Sequence, residues 1–330
     1  MRLTTRMRTW TRRTRAYGVA GSVVAVLAVT QLPFGQWSRA SESPVLVPSG
    51  HGYDAKGAFN PAAIRRGDSI VMLFRAQDSA GTSRLGYAAS RDGLHFTTRA
   101  APVLVPEAPY EHQGGVEDPR LVRIGGEYWL TYTAYDRVNA QLALASSRDL
   151  VHWTRKGVIM PARQGTWNVG WTKSGAILDQ RVNGKWWMYY MGDAAGVPDQ
   201  TGIASSTDLV HWTDATNRPV LPRRPGMFDG RVTEPGPPPV MTKDGILLIY
   251  NGADSTLAYR TGWALFDRND PTKLLARSDT PIFAPEKEWE KVGQVPNVVF
   301  VEGLVRDGDT WRFYYGGADR TVGVATARSR

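Results

Sequence analysis

The sequence has no cysteine among its 330 residues. Disulfide bonds, thiol nucleophiles and thiolate metal sites are therefore all excluded. No glycine-rich phosphate-binding loop precedes a helical pattern, the Gly-x-Ser-x-Gly nucleophile motif is absent, and long helical periodicity is missing. These absences argue against dinucleotide-binding, kinase and α/β-hydrolase folds. We predict neither a cofactor nor a metal site for this chain.

Acidic residues are absent from the first 40 positions, which contain seven arginines. The whole chain has 40 basic and 31 acidic residues, so most of its net charge of +9 lies in this short segment. The rest of the chain is close to neutral, which removes the main support for nucleic-acid binding.

The same N-terminal segment is typical of an export signal. An arginine-rich start is followed by an apolar stretch at 16–29 and by Ser38-Arg39-Ala40, a small-x-small cleavage pattern. We predict that residues 1–40 are a signal peptide or N-terminal anchor, and that 41–330 form one large domain outside the cytoplasm, secreted or anchored. An apolar stretch extended to 16–34 would allow an uncleaved anchor, which is the only membrane contact predicted.

Five times along the chain a polar residue leads into small or apolar ones, and an aromatic-rich strand follows. The repeat recurs every 56 to 68 residues, the size of a four-stranded sheet with its loops, and predicts an all-β, five-bladed β-propeller. The innermost strands of a propeller line a common axis, so residues at one phase of the repeat should meet. These residues are Asn60, Asp118, Lys173, Glu234 and Glu302. Three carboxylic acids and a cation around one funnel indicate an active site.

A second repeat supports the same blades at a different phase. Residues 90–96, 147–153 and 206–212 share the pattern Ser-x-Asp, Gly or Leu, any residue, His, and Phe or Trp. Aspartate in this position suits a tight turn between outer strands. A histidine that occurs once per blade is more simply a turn residue than a metal ligand, because metal ligands cluster.

Seven short strings occur in order and with matching spacing across residues 55–328. They are Phe59–Ala62, Gly115–Arg120, Tyr132–Tyr135, Lys173–Ile177, Gly245–Tyr250, Pro296–Phe300 and Tyr314–Asp319. Together they resemble glycoside hydrolase family 130. The resemblance implies a five-bladed propeller that acts on β-linked mannosides with inversion of configuration.

The resemblance makes Asp118 the general acid, which in this family is thought to protonate the glycosidic oxygen through the 3-hydroxyl of the bound mannose. Such an acid must keep its proton near neutral pH, and we expect partial burial beside Glu117 to favour this. Arg120 would steady the two carboxyls or bind sugar hydroxyls. The alternative for Asp118 is a structural ion pair with Arg120 at a strand end.

Members of the family divide into phosphorylases, in which phosphate attacks the anomeric carbon, and hydrolases, in which a second carboxylate activates water. Phosphate needs cations and hydrogen-bond donors. Phosphorolytic members resemble one another in a His-Arg-Pro and a later His, where this chain has 190–192, Tyr-Met-Gly, and Asn251. We therefore expect an inverting hydrolase of β-1,2- or β-1,4-mannosides, with Glu234 as general base and Glu302 as the other candidate. A phosphorylase that releases mannose 1-phosphate is the alternative.

The remaining candidate residues are expected to bind the sugar. Beyond Glu117 and Arg120, they are Asn60, Arg75, Tyr135, Lys173, Asp193, Tyr250 and Asp319. Asn60, Arg75, Lys173 and Asp319 resemble hydroxyl ligands of the family. Each of these four could instead satisfy backbone groups at a blade end, although unpaired charges at the inner phase are costly. Trp167, Trp171 and Trp289 lie between blades, where they would either stack on sugar rings or pack in the core.

Two other functions stay open at this point. A non-catalytic glycan-binding propeller would need the aromatic residues but would not need Asp118 opposite a glutamate. A five-bladed glycosidase for arabinan, xylan or fructan would share the fold, which alone does not choose a substrate. In every case the expected partner is an oligosaccharide or glycan.

Overall fold

The computed structural model describes residues 32–330 except 164, 166, 195 and 196. Strands dominate the described chain, and helix is confined there to α1 (Glu288–Lys291) and two 3-10 turns (Gly52–Asp54 and Pro109–Glu111). The prediction of an all-β fold is confirmed. The predicted export signal lies outside the described residues as far as position 31. No helix in the described part is long and apolar enough to cross a membrane.

The strands form five successive antiparallel meanders, preceded by β1 (Ser38–Arg39). The first contains β2 (Gly57–Arg66), β3 (Ser69–Gln77), β4 (Ser83–Ser90) and β5 (Thr97–Thr98). The second contains β6 (Gly115–Ile124), β7 (Glu127–Tyr135), β8 (Ala140–Ser147) and β9 (Thr154–Met160). The third contains β10 (Thr172–Ile177), β11 (Trp186–Ala194), β12 (Val197–Ser206) and β13 (Thr213–Asp214).

The fourth and fifth meanders depart from this plan at their edges. The fourth contains β14 (Val232–Pro235), β15 (Val240–Met241), β16 (Ile246–Ala253), β17 (Tyr259–Phe266) and β18 (Leu274–Arg277), and both β14 and β15 pair with β16. The fifth contains β19 (Val299–Asp307), β20 (Thr310–Gly317) and β21 (Thr321–Arg328). Its fourth strand is β1, which pairs with β21.

The first strands of the meanders are neighbours in space. Strand β2 contacts β6 and β19, β6 contacts β10, and β10 contacts β14. A parallel bridge between Ser83 and Gly115 joins the first two meanders into one sheet. The residues that open the sequence repeat therefore lie on adjacent strands.

Four of these first strands are interrupted by a β-bulge at the repeat. The register slips at Asn60, Asp118, Ser174 and Glu302. Asn60, Asp118 and Ser174 have left-handed φ angles of 48°, 48° and 59°, a region that non-glycine residues rarely enter. A bulge re-aims a side chain that would otherwise follow the alternation of the strand, and bulges are common beside active sites. The bulges therefore explain why the functional candidates do not follow simple strand alternation.

The hydrophobic core lies between adjacent meanders. Leu144 of β8 and Met188 of β11 belong to one buried cluster, and Ile249 of β16 and Val301 of β19 belong to another. Burial of such a side chain contributes about 1.5–3 kcal/mol. Packing between sheets thus holds the meanders together in a chain that has no disulfides.

Three meanders share a buried polar connection that the sequence repeats did not reveal. In each, a buried carboxylate just before the first strand accepts a tyrosine hydroxyl and pairs with an arginine of the outermost strand. The sets are Glu111 with Tyr132 and Arg155, Asp229 with Tyr250 and Arg277, and Glu290 with Tyr315 and Arg39. A buried carboxylate must be paired and hydrogen-bonded, so each set ties the entry of a meander to its far edge.

Tyr250, which was predicted to bind sugar, belongs to one of these structural sets. Its hydroxyl donates to Asp229 Oδ2 at 2.7 Å, its ring lies beside Phe228, and it has no exposed surface. Tyr250 pairs across the sheet with Pro235, whereas Glu234 pairs with the next residue along β16. Strand alternation therefore turns Tyr250 to the face opposite Glu234.

The folded unit begins at Leu32, although the sequence predicted a start at residue 41. Phe34 and Trp37 are buried, and the ring of Trp37 stacks on Phe313. Arg39 pairs with Glu290 at 2.6 Å. Residues ahead of the predicted cleavage point therefore supply core packing and the outermost strand of the fifth meander.

The second sequence repeat forms the turns that it predicted. In each turn the aspartate Oδ1 accepts the backbone N–H groups two and three residues ahead, and Oδ2 lies 2.6–2.7 Å from the histidine Nδ1 of the same turn. The three histidine side chains are exposed. Over the described residues, no group of three or more His, Asp or Glu side chains could hold a metal ion.

Candidate active site

Asp118 lies at the centre of a buried hydrogen-bond network that joins the first two meanders. Its Oδ1 accepts from Asn60 Nδ2 at 2.9 Å and from Arg75 Nη1 at 3.2 Å. The other guanidinium nitrogen, Nη2, donates to Glu117 Oε1 at 2.6 Å, and Ser83 Oγ donates to the same oxygen at 3.1 Å. The structure thus brings together four of the predicted site residues, and Ser83 is an addition.

The surroundings of Asp118 set its protonation. Burial favours the neutral acid, but Arg75, Arg120 and the hydrogen bond from Asn60 outweigh it and lower the pKa of Asp118. For Glu117 burial is the largest influence and raises the pKa, against the opposing charge of Arg75. The pKa values of these two carboxyls are therefore shifted in opposite directions, and Glu117 takes up a proton more readily than Asp118. The sequence had led us to expect the reverse for Asp118.

Arg120 is a buried connector between three meanders. Its Nη1 donates to the carbonyl oxygen of Asp118 at 3.0 Å, and its Nη2 and Nε donate to the carbonyl oxygens of Pro235 and Gly236 at 2.9 and 3.2 Å. The same Nη1 lies 2.8 Å from Glu302 Oε1. The guanidinium therefore reaches from β6 to the chain beside Glu234 and to β19.

Glu234 and Glu302 have different environments, although the sequence treated both as candidate bases. Glu302 has no exposed surface, and neither of its oxygens accepts a well-aligned hydrogen bond. Burial raises its pKa well above the ordinary value, against the opposing charge of Arg120. Glu234 accepts a hydrogen bond from Ser174 Oγ, and burial raises its pKa to about 7. Glu302 is thus enclosed behind Arg120, whereas Glu234 retains 6% exposure.

Lys173 is a partly buried cation that faces the site carboxylates. Its charge acts on Glu117, Asp118 and Glu234. No carboxylate oxygen within the described ranges lies within 4.0 Å of its Nζ, which instead sits 4.6 Å from the centroid of the Trp171 ring. The charge of Lys173 therefore has no ion-pair partner among the residues that the structure describes.

Three further predicted ligands lie around this centre at different depths. Asp319 is half-buried, and burial raises its pKa to about 7 against the opposing charge of Arg75. Burial also raises the pKa of Asp193, which Lys173 opposes. Tyr135, at the end of β7, is partly exposed and packs closely against Gly114.

The three tryptophans proposed as sugar-stacking residues separate clearly by exposure. Trp167 is 8% exposed and packs against glycines of β11 and β12. Trp289 stacks on Tyr315 and donates its indole N–H to the carbonyl oxygen of Glu42. Trp171 is 38% exposed, and its indole donates to Asp199 Oδ1 at 2.8 Å. Of these three, Trp171 is the most exposed, and its ring lies beside Lys173 of the site.

The sequence analysis missed Tyr259, which lies on β17 beside the site. Burial and the carboxylates of Glu234 and Asp199 raise its pKa well above the usual value. Its ring lies 5.7 Å from that of Phe300, which in turn faces Arg120. Tyr259 is on the third strand of its meander, off the phase of the repeat, so the pattern of first strands gave no signal for it.

Two site carboxylates should make the protein less stable as the pH rises. Folding raises the pKa values of Glu234 and Asp319 to about 7 from ordinary values of 4.5 and 3.8. A carboxyl group whose pKa is higher in the folded than in the unfolded protein contributes its full stabilisation at pH values below the unfolded-state pKa. That contribution is lost as the pH rises through the folded-state pKa. We therefore expect the double variant Glu234→Gln/Asp319→Asn to gain stability relative to wild type between about pH 4 and about pH 8.

Urea unfolding of both proteins across this range measures that difference. Groups whose pKa values the two substitutions leave unchanged cancel in the comparison, so the difference reports on the two carboxylates and the groups that they interact with. A difference in unfolding free energy that does not change with pH would contradict the raised pKa values.

A family model described as beta-1,4-mannooligosaccharide phosphorylase matches residues 39–330. The chain belongs to glycoside hydrolase family 130. This confirms the resemblance seen in the seven sequence strings.

Three relatives of this family 130 member illustrate the similarity. The 1,2-beta-oligomannan phosphorylase of Thermoanaerobacter sp. (strain X514) is 38% identical over 298 residues, 87% of this chain and 95% of that protein. The beta-1,2-mannobiose phosphorylase of Listeria innocua, solved with beta-1,2-mannobiose, has a TM-score of 0.80 and 26% identity, covering 88% of this chain and 96% of its own. A third structure has a TM-score of 0.82 and 36% identity, covering 92% and 98%. It is described by the statement that this family of mannoside phosphorylases contains glycoside hydrolases that target beta-1,2 mannosidic linkages in Candida mannan.

The prediction of a hydrolase is wrong, because the three curated relatives that are 34–38% identical to this chain are phosphorylases. This chain lacks two histidine motifs of the phosphorylases, and their absence had predicted that the phosphate site was lost. Glu234 and Glu302 had both been predicted as available bases. In the structure Glu302 is enclosed with Arg120, and Glu234 is engaged by Ser174. Meanwhile Lys173 offers a positive charge that no described carboxylate pairs with.

Proposed function

We propose that this enzyme cleaves β-1,2-linked mannosides by phosphorolysis and releases mannose 1-phosphate. The observation that carries the proposal is the unpaired ammonium of Lys173 in the field of Asp118 and Glu234. A preorganised cation beside the general-acid candidate suits an anionic nucleophile better than water. The names of the Thermoanaerobacter and Listeria relatives support the same reaction and linkage for this chain.

The proposed scaffold is a five-bladed β-propeller in which each meander is one blade. Strand β2 contacts both β6 and β19, so the first strand of the first meander lies beside those of the second and the fifth, as a ring of five blades requires. Pairing of β1 with β21 joins the N-terminal segment to the last blade. A cavity of about 280 Å³ is lined by residues from all five meanders, among them Ala63, Leu121, Asp179, Val240 and Leu304. These contacts support a common axis.

In the proposed reaction a phosphate oxygen attacks the anomeric carbon on the face opposite the leaving sugar. The bond from C1 to the glycosidic oxygen breaks, and that oxygen takes the proton of Asp118. One displacement on a β-mannoside gives α-mannose 1-phosphate and the shortened glycan. No general base is required, because the nucleophile is already an anion.

Phosphate also provides a reason for Asp118 to gain its proton. Without substrate, Arg75 and Arg120 are the main charges that hold its pKa low, with Lys173 adding to them. A phosphate bound to the accessible cations would offset their charge and repel the carboxylate, and both effects raise the pKa of Asp118. Asp118 would then be protonated when phosphate is bound. This favours phosphorolysis over reaction with water.

The other residues are proposed to hold the sugar and the acid. Asn60 and Arg75 contact Asp118 directly and orient it. Glu234, Asp193 and Asp319 are proposed as acceptors for sugar hydroxyls, since none of their carboxylates is paired with an arginine within 4.0 Å in the described chain. Glu117 and Tyr135 are proposed to complete the same binding surface.

The full-length protein tests the reaction with β-1,2-mannobiose, with and without inorganic phosphate, and with β-1,4-mannobiose as the comparison linkage. We expect mannose 1-phosphate and mannose in equal amounts, formed only when phosphate is present. Release of mannose at the same rate without phosphate would overturn the proposal. Faster turnover of the β-1,4 dimer would overturn the proposed linkage alone.

The variant Lys173→Gln examines the observation on which the proposal rests. We expect its KM for phosphate to rise at least about tenfold, with a smaller change in KM for mannobiose, since one charge-assisted contact is lost. Lys185→Gln removes the same charge from an exposed position of the same meander and should leave both constants unchanged. Equal behaviour of the two variants would contradict a phosphate contact by Lys173.

We also propose that the chain is exported, and that the signal lies within residues 1–40. Support comes from the arginine-rich start and the apolar stretch at 16–29. Recovery of the protein only in the cytoplasmic fraction of the producing cells would contradict this.

A further inference from the structure

Glu302 and Arg120 form a buried pair that the proposed reaction does not use directly. Both side chains are almost fully enclosed, with 0% and 1% of their surface exposed, and 2.8 Å separates Arg120 Nη1 from Glu302 Oε1. Within the described chain, no other carboxylate lies within 4.0 Å of the Arg120 guanidinium. Its hydrogen bonds go to backbone carbonyl oxygens.

The contacts of Arg120 reach both sides of the proposed reaction centre. One goes to the carbonyl oxygen of Asp118, whose backbone is held in a left-handed bulge. Two go to Pro235 and Gly236, which directly follow Glu234. A shift of the guanidinium would therefore disturb the general acid and a proposed sugar ligand together.

Glu302 itself is placed by a bulge in β19, where the register slips between Val301 and Gly303. Asn251 secures that strand, because its side-chain amide both donates to and accepts from the backbone of Val301. The carboxylate is thus fixed in place from the fifth meander, while the arginine that it faces comes from the second.

We propose that Glu302 is a positioning residue that holds Arg120, and through it Asp118 and the segment of Glu234, in the reactive arrangement. Glu302 touches neither sugar nor phosphate in this account, so it is not the second carboxylate of a hydrolytic mechanism. The inference builds on the proposed function for the roles of Asp118 and Glu234.

Replacement of Glu302 by glutamine tests the proposal with little change of shape. A neutral amide leaves Arg120 as an unbalanced buried cation. We expect kcat to fall at least about tenfold while KM for mannobiose changes less, the pattern of lost transition-state stabilisation. Glu302→Asp keeps the charge and should retain more activity than Glu302→Gln.

The pH profile gives a readout that a purely structural role would not move. The groups that face Asp118 are Asn60, Arg75, Glu117, Arg120, Lys173, Glu234, Tyr259, Glu302 and Asp319. In the pH range where Glu302 is ionised beside Arg120, removing its negative charge leaves more positive charge near Asp118 and lowers the pKa of Asp118 further. The alkaline limb of the activity profile should therefore move to lower pH in Glu302→Gln.

Glu111→Gln is a matched control, since Glu111 is also a fully buried glutamate that pairs with an arginine, Arg155. It lies outside the Asp118 network, and we expect it to lower the melting temperature without moving the pH profile. Identical pH profiles and kcat values for Glu302→Gln and wild type would overturn the proposal. So would a loss in Glu302→Gln that Glu111→Gln reproduces.

The same variants separate this inference from the proposed function. If wild type releases mannose without phosphate, the proposed function fails, and the positioning role is still measured on the rate of mannose release. If wild type phosphorolyses mannobiose and Glu302→Gln matches it, only the positioning role fails.

Discussion

We expect Asp118→Asn to lower kcat/KM for β-1,2-mannobiose by about a thousandfold, because a positioned general acid contributes about 10²–10⁴ in rate. The amide keeps the size of the side chain and an oxygen that can accept from Asn60 and Arg75, so binding should survive better than turnover. It has no proton that it can give to the glycosidic oxygen. Initial rates of mannose 1-phosphate formation measure the loss.

A substrate that needs no acid separates this role from a structural one. In an aryl β-mannoside made from a strongly acidic phenol, the phenolate departs without being protonated. Asp118→Asn should therefore cleave this substrate at close to the wild-type rate in the presence of phosphate. Asp149→Asn changes a carboxylate in a surface turn and serves as the control for the substitution itself. Equal losses of Asp118→Asn on mannobiose and on the aryl substrate would show that the residue only braces the site.

The arrangement of the site followed from the sequence where the repeat determined it. Asn60, Asp118, Glu234 and Glu302 occupy one phase of a repeat, and adjacent first strands with bulges bring such positions together. Repetition is a strong signal because each unit must bury the same strand against its neighbours. The sequence did not predict which side chains pair with each other. Those pairs depend on distances between repeat units, and the period of the repeat does not determine these distances.

Tyr250 shows where a sequence pattern fails at the level of one residue. A shift of one position along a strand moves a side chain to the opposite face. The position beside it, Asn251, shares the face of Glu234 and fastens β16 to β19. A string that matches a family therefore locates the strand more securely than it locates the functional side chain within it.

The reaction class was mispredicted for a different reason. Counting acids at the inner phase cannot reveal which of them is already engaged by a buried partner, as Glu302 is by Arg120. Nor can it show a cation such as Lys173 that is left without a carboxylate. A hydrolase needs a free carboxylate to activate water, whereas a phosphorylase needs free cations to bind phosphate. Which carboxylates and cations are free can be seen only in the folded protein.

The predicted domain start at residue 41 leads to a measurable expectation of large size. We expect a chain that begins at residue 41 to be strongly destabilised, because it lacks Phe34, Trp37 and strand β1. Loss of each buried aromatic costs about 1.5–3 kcal/mol, and removal of Arg39 from buried Glu290 adds about 3–5 kcal/mol. Together these approach the total stability of a typical domain, about 5–15 kcal/mol.

Thermal unfolding of 41–330 beside 32–330 and the full chain measures this effect. The protein that begins at residue 32 retains the whole described unit and should melt with the full chain, whereas 41–330 should melt far lower or fail to remain soluble. The single variant Arg39→Met separates the ion pair from the apolar contacts, since it leaves Trp37 stacked on Phe313. Equal melting of 41–330 and 32–330 would mean that β1 contributes nothing to the fifth sheet. A large difference would mean that proteolytic processing after Ala40 cannot yield a stable enzyme, because the residues just ahead of the predicted cleavage point complete the fifth sheet.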